Sequence, residues 1–119
     1  MNLKQIIDQL DLRPLTEPVD FSQIEPSSGY TSDLLSCVMA GAKPSCIWIT
    51  LQAHMNIVAV AALLEMSAII ITEDAQPDPA TLSKANAQSI ILLSSPLSSF
   101  EIAGRLWEMG LRSNSASGA

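Results

Sequence analysis

The sequence is poor in charged residues, and most of those it has are acidic. Charged residues make up 15% of the 119-residue chain, whereas an average globular domain has about 25%. A disordered chain shows the opposite bias, so the composition predicts one folded domain. The formal net charge of -6 disfavours a broad electrostatic contact with nucleic acid or with an anionic membrane, and we expect neither as a partner.

Residues for metal ligation and for disulfides are also scarce. The chain has 2 cysteines, Cys37 and Cys46, and 1 histidine, His54, which is too few for a structural zinc site. Both cysteines lie in apolar segments, so we expect buried thiols rather than a disulfide framework. We predict no metal and no cofactor.

Targeting segments and catalytic signatures are missing as well. The longest nearly apolar stretch, 57–64, is far short of the roughly 20 residues that span a bilayer. The N-terminal residues lack an apolar core of signal-peptide type, and we expect a cytoplasmic protein. There is no GxxxxGK[ST] or GxSxG pattern, and no third group is placed to orient His54 toward a loop serine. We therefore predict that the chain is not an enzyme.

The N-terminal third has mixed signals. The apolar spacing of residues 3–10 predicts an amphipathic helix. Pro14 and Pro18 end it and favour extended or turn structure, with a short strand near 19–24. Gly29 is interpreted as a turn residue.

From Cys46 onward, an apolar strand, a short loop and a helix follow one another three times. The predicted strands are 46–51, 68–72 and 89–93, and the predicted helices are 56–66, 77–88 and 98–110. Strands that are apolar throughout indicate burial on both faces. We predict an α/β fold in three layers, with a mainly parallel sheet of about four to five strands between flanking helices. This domain is expected to span 1–111, and 112–119 are expected to form a disordered tail.

Several residues have the pattern of helix caps. Asp78 is a predicted N-cap with Pro79 at the first helical position. Ser98 and Glu101 are spaced as a capping box, and Gly110 is a predicted C-cap.

The loops after the three strands form a candidate ligand site. Ligands of open parallel sheets bind at the carboxyl ends of the strands, where helix N-termini favour an anion. The candidate ligand-binding residues are Gln52, His54, Thr72, Glu73, Asp74, Ser94, Ser95, Ser98 and Ser99. Each also has a structural interpretation: His54 and the serines can cap helices or stay in the loops, Thr72 can bond within its turn, and the two acids can form a solvated turn or recruit Mg²⁺.

A second apolar segment is a candidate contact surface. Thr31 or Ser32 can cap a helix that carries more apolar residues than one contact with a sheet requires. Because the chain is short and rich in apolar residues, we predict a homodimer. The candidate interface residues are Tyr30, Leu34, Leu35, Val38 and Met39.

Four stretches in order resemble a known family: GYTSDLLSCVMAGA, WITLQAHMNIVAVA, AIIITEDAQPD and LLSSPLSSFEIAGRLWEMGL. Together they are similar to a free-standing DRTGG domain. This small α/β module is fused to bacterial phosphate acetyltransferases and to regulated pyrophosphatases. Stand-alone copies are labelled serine kinase-like, after the similar N-terminal domain of HPr kinase.

The residues that give that family its name are only partly present. Its Asp-Arg falls near Ala53 and His54, and its Thr-Gly-Gly falls on Thr72, Glu73 and Asp74. Only the threonine matches, and two carboxylates replace the glycines, so glycine at both positions is expected to restore anion affinity.

The resemblance implies a non-catalytic regulatory or assembly domain that acts through homodimerisation and an unknown partner protein. An adenine-nucleotide sensor is the alternative, because the module belongs to the nucleotide-responsive part of the pyrophosphatases. An unrecognised enzyme is the second alternative.

Overall fold

The computed structural model describes residues 1–113 and contains five helices and five strands within that range. The helices are α1 (Leu3–Leu10), α2 (Leu35–Gly41), α3 (Asn56–Leu63), α4 (Pro79–Ala87) and α5 (Ser99–Glu108). The strands are β1 (Arg13–Pro14), β2 (Ser28–Thr31), β3 (Cys46–Thr50), β4 (Ala68–Ile71) and β5 (Leu92–Ser94). None of these helices is long and apolar enough to cross a membrane.

The five strands form one sheet in the order β1-β5-β4-β3-β2. β1 runs antiparallel to β5, and the other three pairs are parallel. The predicted mainly parallel sheet with flanking helices is therefore confirmed. Because β3, β4 and β5 are parallel neighbours, their carboxyl ends and the loops that follow lie along one edge of the sheet.

Alternate residues of the central strands supply two separate cores, as two-sided burial requires. Ile47 and Ile49 pack with α1 and α5 on one face, whereas Trp48 packs with α2 and α3 on the other. Each fully buried side chain of this size contributes roughly 1.5–3 kcal/mol. The result is the predicted three-layer arrangement.

The predicted caps of α4 and α5 are mostly confirmed. The Asp78 carboxylate accepts from the N–H of Thr81, with Pro79 at the start of α4. The Ser98 hydroxyl accepts from the N–H of Glu101. However, the Glu101 carboxylate pairs with Arg105 at 2.8 Å and does not complete a capping box.

Gly110 ends α5 as predicted. It adopts a φ of 107°, which favours glycine. The N–H of Gly110 donates to Trp107 O, and the N–H of Leu111 donates to Leu106 O. This pair of bonds is a Schellman motif.

Three predictions for the N-terminal part are wrong. No strand forms at 19–24, where Asp20 caps a 3₁₀ turn at Phe21–Gln23. Gly29 lies inside β2 rather than in a turn. Neither Thr31 nor Ser32 caps α2, which begins after Leu34 without a side-chain cap.

The cysteines and the C-terminal segment also differ from expectation. Cys46 is buried, and burial raises the pKa of its thiol, but Cys37 is exposed because it lies on the outer side of α2. At the start of the predicted tail, the carbonyl of Arg112 accepts from the N–H of Gly29 at 2.8 Å. The rest of the predicted tail, 114–119, lies outside the described residues.

Candidate functional site

The three predicted loops lie side by side at the carboxyl edge of the sheet. The N–H of Thr72 donates to Thr50 O at 2.9 Å, and the N–H of Ser95 donates to Ile71 O at 3.0 Å. These bonds continue the parallel pairing past the strand ends. The nine candidate ligand residues are therefore brought to one edge of the sheet, as their sequence positions imply.

The acidic turn after β4 has a backbone conformation that suits glycine. Glu73 and Asp74 have φ values of 60° and 57°, in the left-handed region that costs a residue with a Cβ about 1 kcal/mol or more. Both residues are exposed. Two consecutive left-handed residues are thus held in place by the surrounding loop.

Backbone hydrogen bonds between loops provide that restraint. The N–H of Glu73 donates to Leu97 O at 2.9 Å, and the N–H of Asp74 donates to Ser95 O at 3.1 Å. An anion cradle needs amides of this kind to point into open space. In this fold the two amides are already engaged, and exposed carboxylates lie beside them.

The hydroxyl groups of the crevice are used within the fold too. Thr72 is fully buried, and its Oγ1 lies 2.6 Å from Ser99 Oγ. Ser95 Oγ accepts from the N–H of Leu97 at 3.1 Å, and Ser98 caps α5. Ser94 is buried at the end of β5. Their structural interpretation as turn and capping residues is the one these contacts support.

Sequence reasoning missed Asp33, which organises the loop after β3. Its Oδ1 accepts from Thr50 Oγ1 at 2.7 Å and from the N–H of Leu51 at 2.9 Å. Gln52, a predicted ligand residue, donates from Nε2 to Asp33 O at 3.2 Å. The sequence shows an aspartate just after β2. Its role could be predicted only if β2 were already known to pair with β3.

His54 lies at the entrance to α3 and contributes to the electrostatics of α4. Its Nδ1 accepts from the N–H of Asn56 at 3.2 Å, but the N-cap of α3 is Met55 and the helix has no side-chain cap, so His54 is an exposed loop residue. The amide and hydroxyl of Thr81 hold the pKa of Asp78 below its ordinary value, and the charge of His54 adds to this effect. The histidine is exposed, and no catalytic partner for it lies among its described hydrogen bonds.

One groove lies beside the predicted ligand set rather than within it. A groove of about 790 Å³ runs between α1 and α5, but Ser98 is its only lining residue from the predicted ligand set. Within residues 1–113, no group of three His, Cys, Asp or Glu side chains is arranged to hold a metal ion.

The candidate interface residues divide into exposed and buried members. Leu34 is 61% exposed and Met39 is 50% exposed, whereas Leu35 and Tyr30 are half-buried. The fifth candidate, Val38, is fully buried in the core of the chain itself. The prediction that it lies in an interface is therefore wrong, because it points from α2 into the sheet.

Comparison with known proteins identifies this fold among solved structures. No protein-family model matches the sequence, and the search of curated proteins found no match either. A crystal structure of the CBS and DRTGG domains from the regulatory region of Clostridium perfringens pyrophosphatase, in complex with the activator diadenosine tetraphosphate, is similar with a TM-score of 0.72. The identity is 18%, and the match covers 95% of this chain and 47% of that chain. The chain therefore has a DRTGG-like α/β fold and spans about half the length of that structure.

Proposed function

We propose that this chain is a non-catalytic regulatory or assembly domain, which acts as a homodimer and contacts a partner protein. The proposal is carried by how the polar and apolar groups are used. The loops of the crevice form hydrogen bonds with one another, whereas large apolar side chains are exposed elsewhere on the molecule. Leu34, Met39 and Leu63 are 61%, 50% and 67% exposed. A surface that gathers such side chains ordinarily marks a protein contact, and we infer that these three contribute to one.

These apolar residues belong to one side of the molecule. α2 contacts both β2 and α3, so its exposed residues share a layer with Leu63. The hydroxyl of Tyr30 donates to Cys37 O at 3.0 Å and holds α2 against β2. A two-fold axis at this surface would cover the same patch on both copies, which is the commonest form of homodimer.

The structural similarity supports a regulatory role. The pyrophosphatase domains of similar fold belong to a regulatory region rather than to a catalytic one. A regulatory role through surface contacts also agrees with the crevice, where the amides of Glu73 and Asp74 and the hydroxyls of Thr72, Ser95, Ser98 and Ser99 are already bonded.

Sedimentation velocity at micromolar concentration tests the homodimer. We expect one species near twice 12.7 kDa. Leu34→Arg should give a folded monomer, because it places a charge on the contact surface. Val19→Arg is the matched control, since Val19 is 50% exposed but lies on the segment before the 3₁₀ turn, away from α2. A wild-type monomer throughout this concentration range would contradict the proposal.

An adenine-nucleotide sensor is the second candidate function. The similar pyrophosphatase structure contains a bound adenine dinucleotide, and α3, α4 and α5 of this chain each follow one of the strands β3, β4 and β5. Thermal unfolding with AMP, ATP and diadenosine tetraphosphate, with and without Mg²⁺, separates the two functions. Stabilisation that saturates with ligand concentration supports the sensor, and no shift at millimolar ligand excludes it.

A further inference from the structure

The groove between α1 and α5, called the α1–α5 groove below, lies in a different helical layer from the surface proposed for the homodimer. α1 and α5 cover one core of the sheet, whereas α2, α3 and α4 cover the other. The groove has a volume of about 790 Å³, and a smaller hollow that shares Gln9 and Met109 extends it toward Met1. Its lining combines apolar, amide and acidic side chains with one glycine and includes Gln9, Leu10, Phe100, Gly104, Glu108 and Met109.

The shape of the groove suits a protein segment better than a small molecule. Phe100 is 91% exposed although it lines the groove, so the walls do not enclose what lies between them. A small-molecule site ordinarily buries about 70–90% of its ligand. An open seam between two helices instead accepts a third helix, whose apolar residues at i, i+3, i+4 and i+7 enter the seam.

Gly104 keeps the middle of the groove open. It lies in the interior of α5, where glycine is destabilising relative to alanine. A Cβ at this position would meet nothing within 4 Å among the described residues, so no contact inside the chain requires a glycine. The missing side chain leaves room that a side chain of a partner can occupy.

The charges along the groove favour a basic partner. Arg105, the single cation of α5, is paired with Glu101 at 2.8 Å. Lys4, the single cation of α1, is paired with Asp8 at 2.9 Å. Glu108 lines the groove and has no ion pair within residues 1–113. Together with the net charge of -6, this carboxylate attracts a lysine or arginine on a partner.

We propose that the α1–α5 groove binds a basic amphipathic helix of the partner protein. The proposal rests on the proposed function and specifies the chemistry of that partner: apolar side chains enter beside Gly104 and Phe100, and a lysine or arginine pairs with Glu108. None of the five helices of this chain carries more than one Lys or Arg, so a second copy does not supply such a segment. Because the homodimer surface lies in the other layer, one dimer can bind two partner helices.

Titration with synthetic peptides tests the groove. The probe is a peptide of about 18 residues, long enough to form a helix, with Leu at helical spacing and Lys at the other positions. One control peptide has the same composition in scrambled order, and the other has Glu in place of each Lys. In NMR spectra of the full chain, the probe should shift the amide signals of Gln9, Gly104 and Met109, and both controls should bind at least about tenfold more weakly. No binding of the probe, shifts confined to other surfaces, or equal binding of the scrambled peptide overturns the proposal.

A substitution that fills the groove gives the second test. Gly104→Leu has room for its side chain, so it should leave the thermal stability unchanged or higher while affinity for the probe falls at least about tenfold. Ser83→Leu, exposed on α4 in the other layer, is the matched control and should keep full affinity. If Gly104→Leu does not fold, Phe100→Ala removes an exposed side chain and should weaken binding in the same direction. Unchanged affinity in the folded variant overturns the proposal.

The ion pair with the partner is tested at Glu108. Glu108→Gln should weaken binding of the probe several-fold and make it less dependent on salt. Glu65→Gln removes the same charge from an exposed residue after α3 and should have a smaller effect. Equal losses in the two variants would assign the attraction to net charge and overturn the contact at Glu108.

Sedimentation velocity separates this proposal from the homodimer. Gly104→Leu should remain a dimer. A monomeric Gly104→Leu protein would mean that a second copy occupies the groove, which overturns the partner helix but leaves the homodimer in place. A wild-type monomer that binds the probe in the groove contradicts the proposed homodimer and supports the partner site.

Discussion

The backbone N–H of Glu73 donates a 2.9 Å hydrogen bond to the carbonyl oxygen of Leu97. This bond joins the loop after β4 to the loop before α5, and it uses an amide that a phosphate would otherwise require. With the second bond from Asp74 to Ser95, it makes the crevice part of the folded scaffold. The amides of Glu73 and Asp74 are therefore bonded within the fold rather than directed at a ligand.

The backbone of the acidic turn should be strained, because Glu73 and Asp74 carry a Cβ at positions that favour glycine. Because Glu73 and Asp74 both have positive φ, the double substitution to glycine should raise the free energy of unfolding by about 1–2 kcal/mol in urea titrations. Alanine at both positions removes the same charges but keeps each Cβ, and it should give no such increase. Equal stability of the two double variants would show that charge, not backbone conformation, causes the effect.

The same glycine variant should not bind anions. The sequence alone led us to expect restored affinity, but the amides of both residues donate to Leu97 and Ser95, and glycine leaves those bonds intact. Isothermal titration with AMP and sulfate should show no heat of binding for the glycine variant. Measurable affinity there would mean that the carboxylates, rather than the engaged amides, exclude the ligand.

The Thr72–Ser99 hydroxyl pair should show energetic coupling. Ser99→Ala leaves the fully buried Thr72 hydroxyl without this partner and should cost about 1–2 kcal/mol of stability. Thr72→Val alone removes the same bond. The double variant should be about 1 kcal/mol more stable than the sum of the two single effects predicts. Strict additivity in a double-mutant cycle would argue against the bond.

Asp33 should stabilise the loop after β3 through its acceptor oxygen. Asp33→Ala removes the bonds from Thr50 Oγ1 and the N–H of Leu51 and should cost about 1–2 kcal/mol. Asp33→Asn keeps an acceptor oxygen in the same place and should lose clearly less. Chemical denaturation at neutral pH measures the free energy of unfolding of wild type and of both variants. If Asp33→Asn and Asp33→Ala lose equal stability, the effect comes from the charge of Asp33 rather than from its acceptor oxygen.

Acid should weaken the protein in part through Asp78. The bonds from Thr81 hold the pKa of Asp78 below its ordinary value of 3.8, so its contribution is fully present above that value and is lost as pH falls through the lower, folded-state value. Asp78→Asn keeps an acceptor for the cap but does not titrate. The stability difference between wild type and variant should therefore shrink as pH falls below about 4. A difference that stays constant in urea titrations across this range would contradict the assignment.

Local patterns were sufficient to predict much of this fold. The strand at Ala68–Ile71 is apolar throughout, and the strand at Cys46–Thr50 is apolar except for Thr50. Asp78 with Pro79 marks the start of α4 through short-range chemistry alone. Ser98 was identified for the same reason. These features depend on neighbours within four residues, so the sequence displays them directly.

Features set by distant neighbours could not be predicted in this way. β1 contains Pro14 and forms only because it can pair with Leu93 of β5. The role of Asp33 depends on β2 lying next to β3, and the engagement of the Glu73 amide depends on Leu97 lying across the crevice. In each case the deciding partner is more than ten residues away and comes from the topology of the sheet.

Substitution by alanine should lower the free energy of unfolding at Gly41 and raise it at Gly104. A Cβ at Gly41 would lie 2.6 Å from Tyr30 Oη, so Gly41→Ala must displace the tyrosine from its 3.0 Å bond to Cys37 O. We expect a loss of about 1–3 kcal/mol. Gly104 in α5 has nothing within 4 Å of the added Cβ, and Gly104→Ala should gain about 0.5–1 kcal/mol from helix propensity. Thermal unfolding of both variants measures the difference, and a neutral Gly41→Ala would show that Tyr30 can move without cost and does not hold α2 on β2.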